Sequence, residues 1–273
     1  MAKGNTGEMS FLQHLEILRW HLVRSTVAIL IGATLAFLNK HILFDIIIFG
    51  PKQPDFVTYR MFCEFTAWLT GVGLMCLTEM PFEILNTKMA GQFSTHIWVS
   101  LIAGFILAFP YVIWEVWRFI KPGLHDTEKK YSRGVLFFAS FLFMLGVLFG
   151  YFLISPLSIQ FLGTYTVSAD VTNFIDLNSF ISTVSTVTLA SGLIFELPII
   201  VYFLAKLGLL TPEWMRTYRK HAFVVILILS AIITPPDISS QVLVCLPIVG
   251  LYEISIKICA RVVKNQKKAL KTT

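Results

Sequence analysis

Charged side chains are scarce in this chain. Asp, Glu, Lys and Arg together make up 14% of its 273 residues, against ~25% in an ordinary soluble domain. Apolar residues make up 56%, and the mean hydropathy is +0.74. A water-soluble fold of this size cannot hide that much apolar surface, because accessible area still grows with mass. A bilayer supplies the missing apolar solvent. Cysteine is equally sparse: the four residues Cys63, Cys76, Cys245 and Cys259 include no C-x-x-C pair, so neither a metal site nor a redox motif is expected. There is no H-E-x-x-H, no G-x-S-x-G and no G-x-x-x-x-G-K-[ST], and the six His residues are scattered. No catalytic residue, metal or cofactor is therefore expected, and the chain does not read as an enzyme. Internal repeats and low-complexity tracts are missing too. Met1–Gly7 is polar and the next stretch amphipathic, so no cleavable signal peptide is expected.

What is present is a series of six apolar segments: about 22–38, 97–120, 135–154, 181–204, 222–233 and 242–256. A crossing needs ~20 apolar residues to span ~30 Å of hydrocarbon. The expected fold is thus an all-α integral membrane protein of a single domain, with about six transmembrane helices. The last two are short. Between Lys220 and Lys257, after the turn Thr234–Asp237, about 15 residues remain per helix, or ~22 Å. A locally thin bilayer or a re-entrant pair would accommodate them.

Basic residues set the orientation. Eighteen of the 22 Lys and Arg fall before or at the first segment, between the second and third, between the fourth and fifth, and after the sixth. Only Lys40, Lys52, Arg60 and Lys88 remain for the other side. The crowded side is expected to be cytoplasmic, with both termini on it. The basic excess, net +6, is explained by membrane lipids and orientation, and nucleic acid is not an expected partner. The 13-residue run Phe65–Leu77 is too short for a seventh crossing, which would also invert the later basic clusters. Asn39–Thr95 reads as one external segment, partly helical, with Phe65–Leu77 as an interfacial or packed helix. Cys63 and Cys76 lie in it, where oxidation permits a disulfide; the sequence leaves open whether they pair. Arg261–Thr273 reads as a basic, mobile tail.

Some residues invite a functional reading beside a bland one. Residues 10–21 form an amphipathic lead-in to the first crossing: Phe11, Leu15, Leu18 and Leu22 share one helical face, with Ser10 as the expected N-cap and Glu16 on the wet side. Glu196 is the only charged residue from Leu177 to Ala205. A carboxylate at a helix centre costs roughly 2.5–3.5 kcal/mol on insertion scales, so it needs a polar partner or water. Structural polar glue and a functional site are both open readings there. Pro198, two residues on, predicts a local kink. Gln241 opens the sixth segment and can face Glu196 only if the thin region brings both to one depth. Asp237, in the turn that also holds Pro235, suits a helix cap.

In order along the chain, the stretches SFLQHLEILRWHL, FPYVIWEVWRFIKPGL, SGLIFELP, TPPDISSQ and LYEI resemble the TatC family, the multispanning core subunit of the twin-arginine protein translocase. The resemblance implies binding of twin-arginine signal peptides of folded precursors at the cytoplasmic face. It also implies assembly with TatA/TatB-type single-span subunits, homo-oligomers within the complex, and transport driven by the proton-motive force across a bacterial inner membrane. By the same resemblance Glu128 and Phe119, with Glu16 and Arg19, belong to the signal-peptide site. Glu196 and Gln241 belong to an intramembrane polar patch that meets partner helices, and Asp237 and Pro235 to the last external turn. One departure stands out: the family acid three residues after His14 is replaced by Ile17, and the nearest acid, Glu16, sits ~100° around the helix. The alternative, a secondary transporter or channel with Glu196 as an intramembrane coupling site, usually shows repeated halves, and none is present.

Overall fold

The computed structural model describes residues 11–71, 76, 80, 82–120, 132–168, 170–234 and 238–271. The chain is built almost wholly from helices. α1 (Phe11–Leu38) is followed by a π-helical stretch, Ile42–Ile48, and a single 3₁₀ turn, Gly50–Lys52. Then come α2 (Val57–Thr70), a short strand β1 (Glu83–Leu85) and α3 (Gly91–Ile120). α4 (Ser132–Phe149) runs through a π-helical segment, Gly150–Ile154, into α5 (Ser155–Thr164). Strand β2 (Phe174–Asp176) leads into α6 (Leu177–Ile194), α7 (Leu197–Lys206), the short α8 (Pro212–Thr217), α9 (Arg219–Ile233) and α10 (Ile238–Lys271).

Among the described residues four helices are long and apolar enough to cross a membrane: Leu15–Leu38, Gly91–Ile120, Gly134–Thr164 and Leu177–Lys206. The pair α9 and α10 differs. α9 has only 15 residues, ~22 Å at ~1.5 Å per residue, whereas α10 runs for 34 and is not the short helix expected there. Large apolar side chains point outward along the bundle, among them Leu30 and Leu35 on α1, Phe137 and Phe141 on α4, and Val224 and Ile228 on α9. Such a girdle on a polar solvent would be an aggregation surface; against lipid it is the natural exterior.

The most extensive helix contact is between α1 and α3. It rests on two glycines. A Cβ on Gly32 would stand 3.0 Å from the Gly104 carbonyl oxygen, and one on Gly104 would stand 2.7 Å from the Ile29 carbonyl oxygen. The two backbones touch, which is how helices pack tightly where no hydrophobic force separates them from lipid. Further in, Phe109 and Phe143 stack with centroids 3.5 Å apart, joining α3 to α4.

Proline placement explains the breaks. Pro156 has no N–H, so the carbonyl of Phe152, four residues earlier, loses its helical donor. Thr58 of α2 donates its hydroxyl to that carbonyl instead. The Tyr59 hydroxyl lies 2.8 Å from the Pro156 carbonyl and 3.0 Å from that of Pro51, and burial raises its pKa. α2 is thereby docked on the kink in the third span. Pro198 does the same to the fourth span, which breaks at Phe195–Glu196 between α6 and α7.

Three expectations need correction. The helix of the external segment is Val57–Thr70, not Phe65–Leu77; Gly71 adopts a left-handed conformation (φ 73°) and ends it. The third span does not stop at Ile154 but continues through α5 to Thr164, because the wide turn absorbs Pro156. The C-terminal tail is not an irregular end: α10 runs on to Lys271. There Val262 and Val263 pack on the cluster of Val201, Ala205, Met215, Ile256 and Cys259, and Gln266 Nε2 donates to the Lys206 carbonyl at 2.9 Å. Cys63 and Cys76 form a disulfide, with Cα atoms 4.8 Å apart. The bond ties the middle of α2 to Cys76, beyond Gly71.

Candidate functional site: two buried carboxylates and the ends of α1 and α3

The first half of α1 meets the last turns of α3. Leu15, Glu16 and Arg19 are exposed while Ile17 and Leu18 turn inward, half-buried. Arg19 Nη2 and Glu16 Oε1 are 2.6 Å apart on the open face, a solvent-screened pair worth at most ~1 kcal/mol. One turn on, His21 Nδ1 hydrogen-bonds Glu115 Oε2. The other oxygen, Oε1, lies 3.7 Å from Arg118 Nη1. Glu115 is 1% exposed, and the Tyr111 hydroxyl also bonds to its carboxylate. Arg118 lies over the Trp114 ring, 4.8 Å from its centroid. Phe119 meets the His21 ring edge-on at 6.3 Å. His21 therefore touches both Glu115 and Phe119, and the last turns of α3 are held against α1.

His21 and Glu115 are the residues that sequence reasoning missed. The signal was there: between Lys88 and Arg118, Glu115 is the only Asp, Glu, Lys or Arg. That is the same isolation that marked Glu196.

Glu196 sits at the break between α6 and α7, 7% exposed. Its Oε1 has no hydrogen-bond partner among the described residues. The buried hydroxyls of Ser185, Thr188 and Ser191 on α6 are likewise unpartnered among them. Ser191 stands against Gly150, where a Cβ would come within 2.8 Å of its hydroxyl. The carboxylate thus ends a row of interior polar groups. Gln241 directs its Nε2 to the Leu227 carbonyl, 3.4 Å away on α9. Glu128, Pro235 and Asp237 lie outside the described residues.

The stretch LYEI ties the C-terminal helices together. Tyr252 donates its hydroxyl to the Met215 carbonyl at 2.7 Å, and Glu253 Oε2 pairs with Arg219 Nη2 at 2.8 Å. α10 is thereby held to α8 and α9.

The protein-family model described as Sec-independent protein translocase protein (TatC) matches residues 13–247. The chain belongs to the TatC family. It is 42% identical to the Sec-independent protein translocase protein TatC of Blattabacterium sp. subsp. Periplaneta americana (strain BPLAN), over 97% of this chain and 100% of that protein. It is 36% identical to the TatC of Aquifex aeolicus (strain VF5), over 96% and 100%. Two solved structures share the fold. The crystal structure of the twin arginine translocase receptor TatC in DDM has a TM-score of 0.70 and 34% identity, covering 90% of this chain and 98% of that one. A second crystal structure of that receptor has a TM-score of 0.66 and 32% identity. The chain is the core subunit of the Sec-independent twin-arginine translocase, an inner-membrane transport protein of bacteria and not an enzyme. Membership implies a complex with other Tat subunits.

Proposed function

We propose that the chain receives twin-arginine signal peptides of folded precursor proteins where the first half of α1 meets the end of α3. Glu128 and Phe119 are the principal contacts, and Glu16 and Arg19 line the α1 side. The observation that carries this reading is the His21 ring, which touches Phe119 and Glu115 and so holds the end of α3 against α1, the helix that also carries the exposed Glu16–Arg19 pair. Two adjacent guanidiniums need carboxylate acceptors, and one carboxylate can take a guanidinium bidentately. An incoming arginine must displace Arg19 from Glu16, a small obstacle because that pair is solvent-screened.

The remaining parts follow from the same reading. Both termini and the end of α3 face the cytoplasm, the chain crosses the bilayer about six times, and Cys63–Cys76 faces the oxidising side, where disulfides persist. Glu196 and Gln241 form an intramembrane patch for TatA/TatB-type single-span subunits; with the hydroxyls of α6 it offers hydrogen bonds inside a low-dielectric medium. Asp237 and Pro235 belong to the last external turn. Copies of the chain associate within the complex, and the proton-motive force drives export.

Site-specific photocrosslinking of a twin-arginine signal peptide to the membrane-embedded complex tests the reading. Crosslinks are expected from Phe119 and from positions flanking Glu128. Glu128→Ala is expected to lower affinity by roughly one to two decades, at about 1–3 kcal/mol per lost charge-assisted bond. A Lys-Lys peptide, without the planar fork, should lose less. Binding of both peptides at parental strength would remove this site from consideration.

A further inference from the structure

The end of the bundle that carries the disulfide holds few cations, since the charge pattern leaves it only Lys40, Lys52, Arg60 and Lys88 of the 22 Lys and Arg. Two of these four, Lys40 and Lys52, line one cleft of about 890 Å³. Such convergence is unexpected on the face that orientation signals strip of positive charge. The only acid in the lining is Asp45, and its Oδ2 lies 3.6 Å from Nε2 of His41, also in the lining. The two ammonium groups therefore have no carboxylate of the cleft to themselves.

The position of the cleft says what it meets. Its floor holds Phe44 and Phe49, and its edge Phe93, which is 64% exposed. The apolar run of α1 ends beside it at Leu38, 72% exposed. α3 starts at Gly91, and its residues Gln92 and Thr95 line the cleft. The first-turn N–H groups of a long helix favour an anion nearby. His96 is held between Phe37 (stacked, centroids 3.9 Å apart) and Phe44 (edge-on, 5.2 Å), with Nε2 on the Phe37 carbonyl. The cleft thus lies at the end of two candidate membrane-crossing helices, with two lysines in its lining and the exposed Phe93 at its edge.

We propose that this cleft binds the phosphate of an anionic phospholipid from the leaflet on the disulfide side. Lys40 and Lys52 meet the phosphate, and an acyl chain runs down past Phe93. The site stands apart from the signal-peptide reading and does not depend on it.

The test uses full-length protein purified in a neutral detergent and labelled with photoactivatable phosphatidylglycerol or phosphatidylcholine. Adducts are then mapped by mass spectrometry. Phosphatidylglycerol should mark residues 39–53 and 92–96 well above phosphatidylcholine. Lys40→Gln/Lys52→Gln should cut those adducts about thirtyfold, about five- to sixfold for each surface cation removed. Adducts at the basic C-terminal helix should not change in that variant, and Lys264→Gln should leave the cleft adducts at parental level. Equal labelling by the two lipids, or equal labelling of parent and double variant, overturns the proposal. So does loss of the cleft adducts to excess inorganic phosphate alone, which would make this a free-anion site.

Discussion

Glu115 and Glu196 are both carboxylates more than nine-tenths buried in long apolar helices, yet they are treated in opposite ways. Glu115 lies in the last turns of α3 with His21, Tyr111 and Arg118 around it. Glu196 lies at a helix break, where the Phe143 backbone bonds to its carboxylate and no ion pair reaches it among the described residues; Oε1 of each acid is without a hydrogen bond there. A buried charge that is paired and hydrogen-bonded holds elements together, and removing one partner strands the other. A buried acid with a single backbone hydrogen bond and no ion pair holds less in place. It is available to something that arrives.

The comparison is broken most easily at Glu115. Glu115→Ala leaves His21 and Arg118 facing an empty, apolar site, and a loss of ~3 kcal/mol is expected, the lower end for a broken buried pair because Arg118 is half exposed. Thermal unfolding of the purified protein in detergent measures it. If Glu196→Ala proves the more damaging, the two carboxylates have been assigned the wrong way round.

A double-mutant cycle sharpens the point. His21→Ala and Glu115→Gln, alone and combined, should show a coupling of about 1–3 kcal/mol. Additive effects would mean that the two side chains are neighbours without being partners.

Glu196 should behave differently. Glu196→Gln is expected to change stability by less than ~1 kcal/mol, because the amide keeps hydrogen-bonding capacity and there is no charge to desolvate. Crosslinks from α6 and α7 to single-span partner subunits should fall nonetheless, and fall further in Glu196→Ala. Unaltered partner crosslinks in both variants would return Glu196 to the role of structural glue.

The smallest effect belongs to a carboxylate outside the membrane. Asp176 caps α6, accepting from the Asn178 and Ser179 backbone N–H groups, and Thr87 donates to it at 2.7 Å. The Thr87 hydroxyl above all, with these N–H groups adding to it, holds its carboxyl below the usual range against the opposing effect of burial. A folded-state pKa below the unfolded value gives stability that is present above the unfolded pKa and is lost as pH falls through the folded one. The melting temperature should therefore drop slightly on acidification below the ordinary carboxylate range. Asp176→Asn, which still caps a helix, should lack that part of the slope.

The two acids also show what was legible in advance. Glu196 was conspicuous as the lone charge in its segment, and Pro198 announced the break at which it sits. Glu115 was equally alone between Lys88 and Arg118, but its meaning depended on a partner 94 residues away. No local pattern pairs His21 with it. The placement of α2 was hidden for the same reason. Thr58 and Tyr59 matter because Pro156, nearly 100 residues later, leaves a carbonyl for Thr58 and offers its own to Tyr59. The tail was misjudged because its composition looked solvated, while Val262 and Val263 face a core assembled from α7, α8 and α10.

The sequence by itself determined the membrane class, the apolar segments, the helix break near Pro198 and, through its motifs, the family. These are one-dimensional properties: transfer free energy sums along a segment, and a missing N–H acts on the carbonyl four residues back. Tertiary structure alone decided which polar groups meet. It chose His21 for Glu115 and Thr58 for Phe152, brought Lys40 and Lys52 to one cleft, and left Glu196 without a charge beside it. Inside an apolar medium an unpaired polar group is expensive, so its partner is selected by where the helices cross and not by distance along the chain.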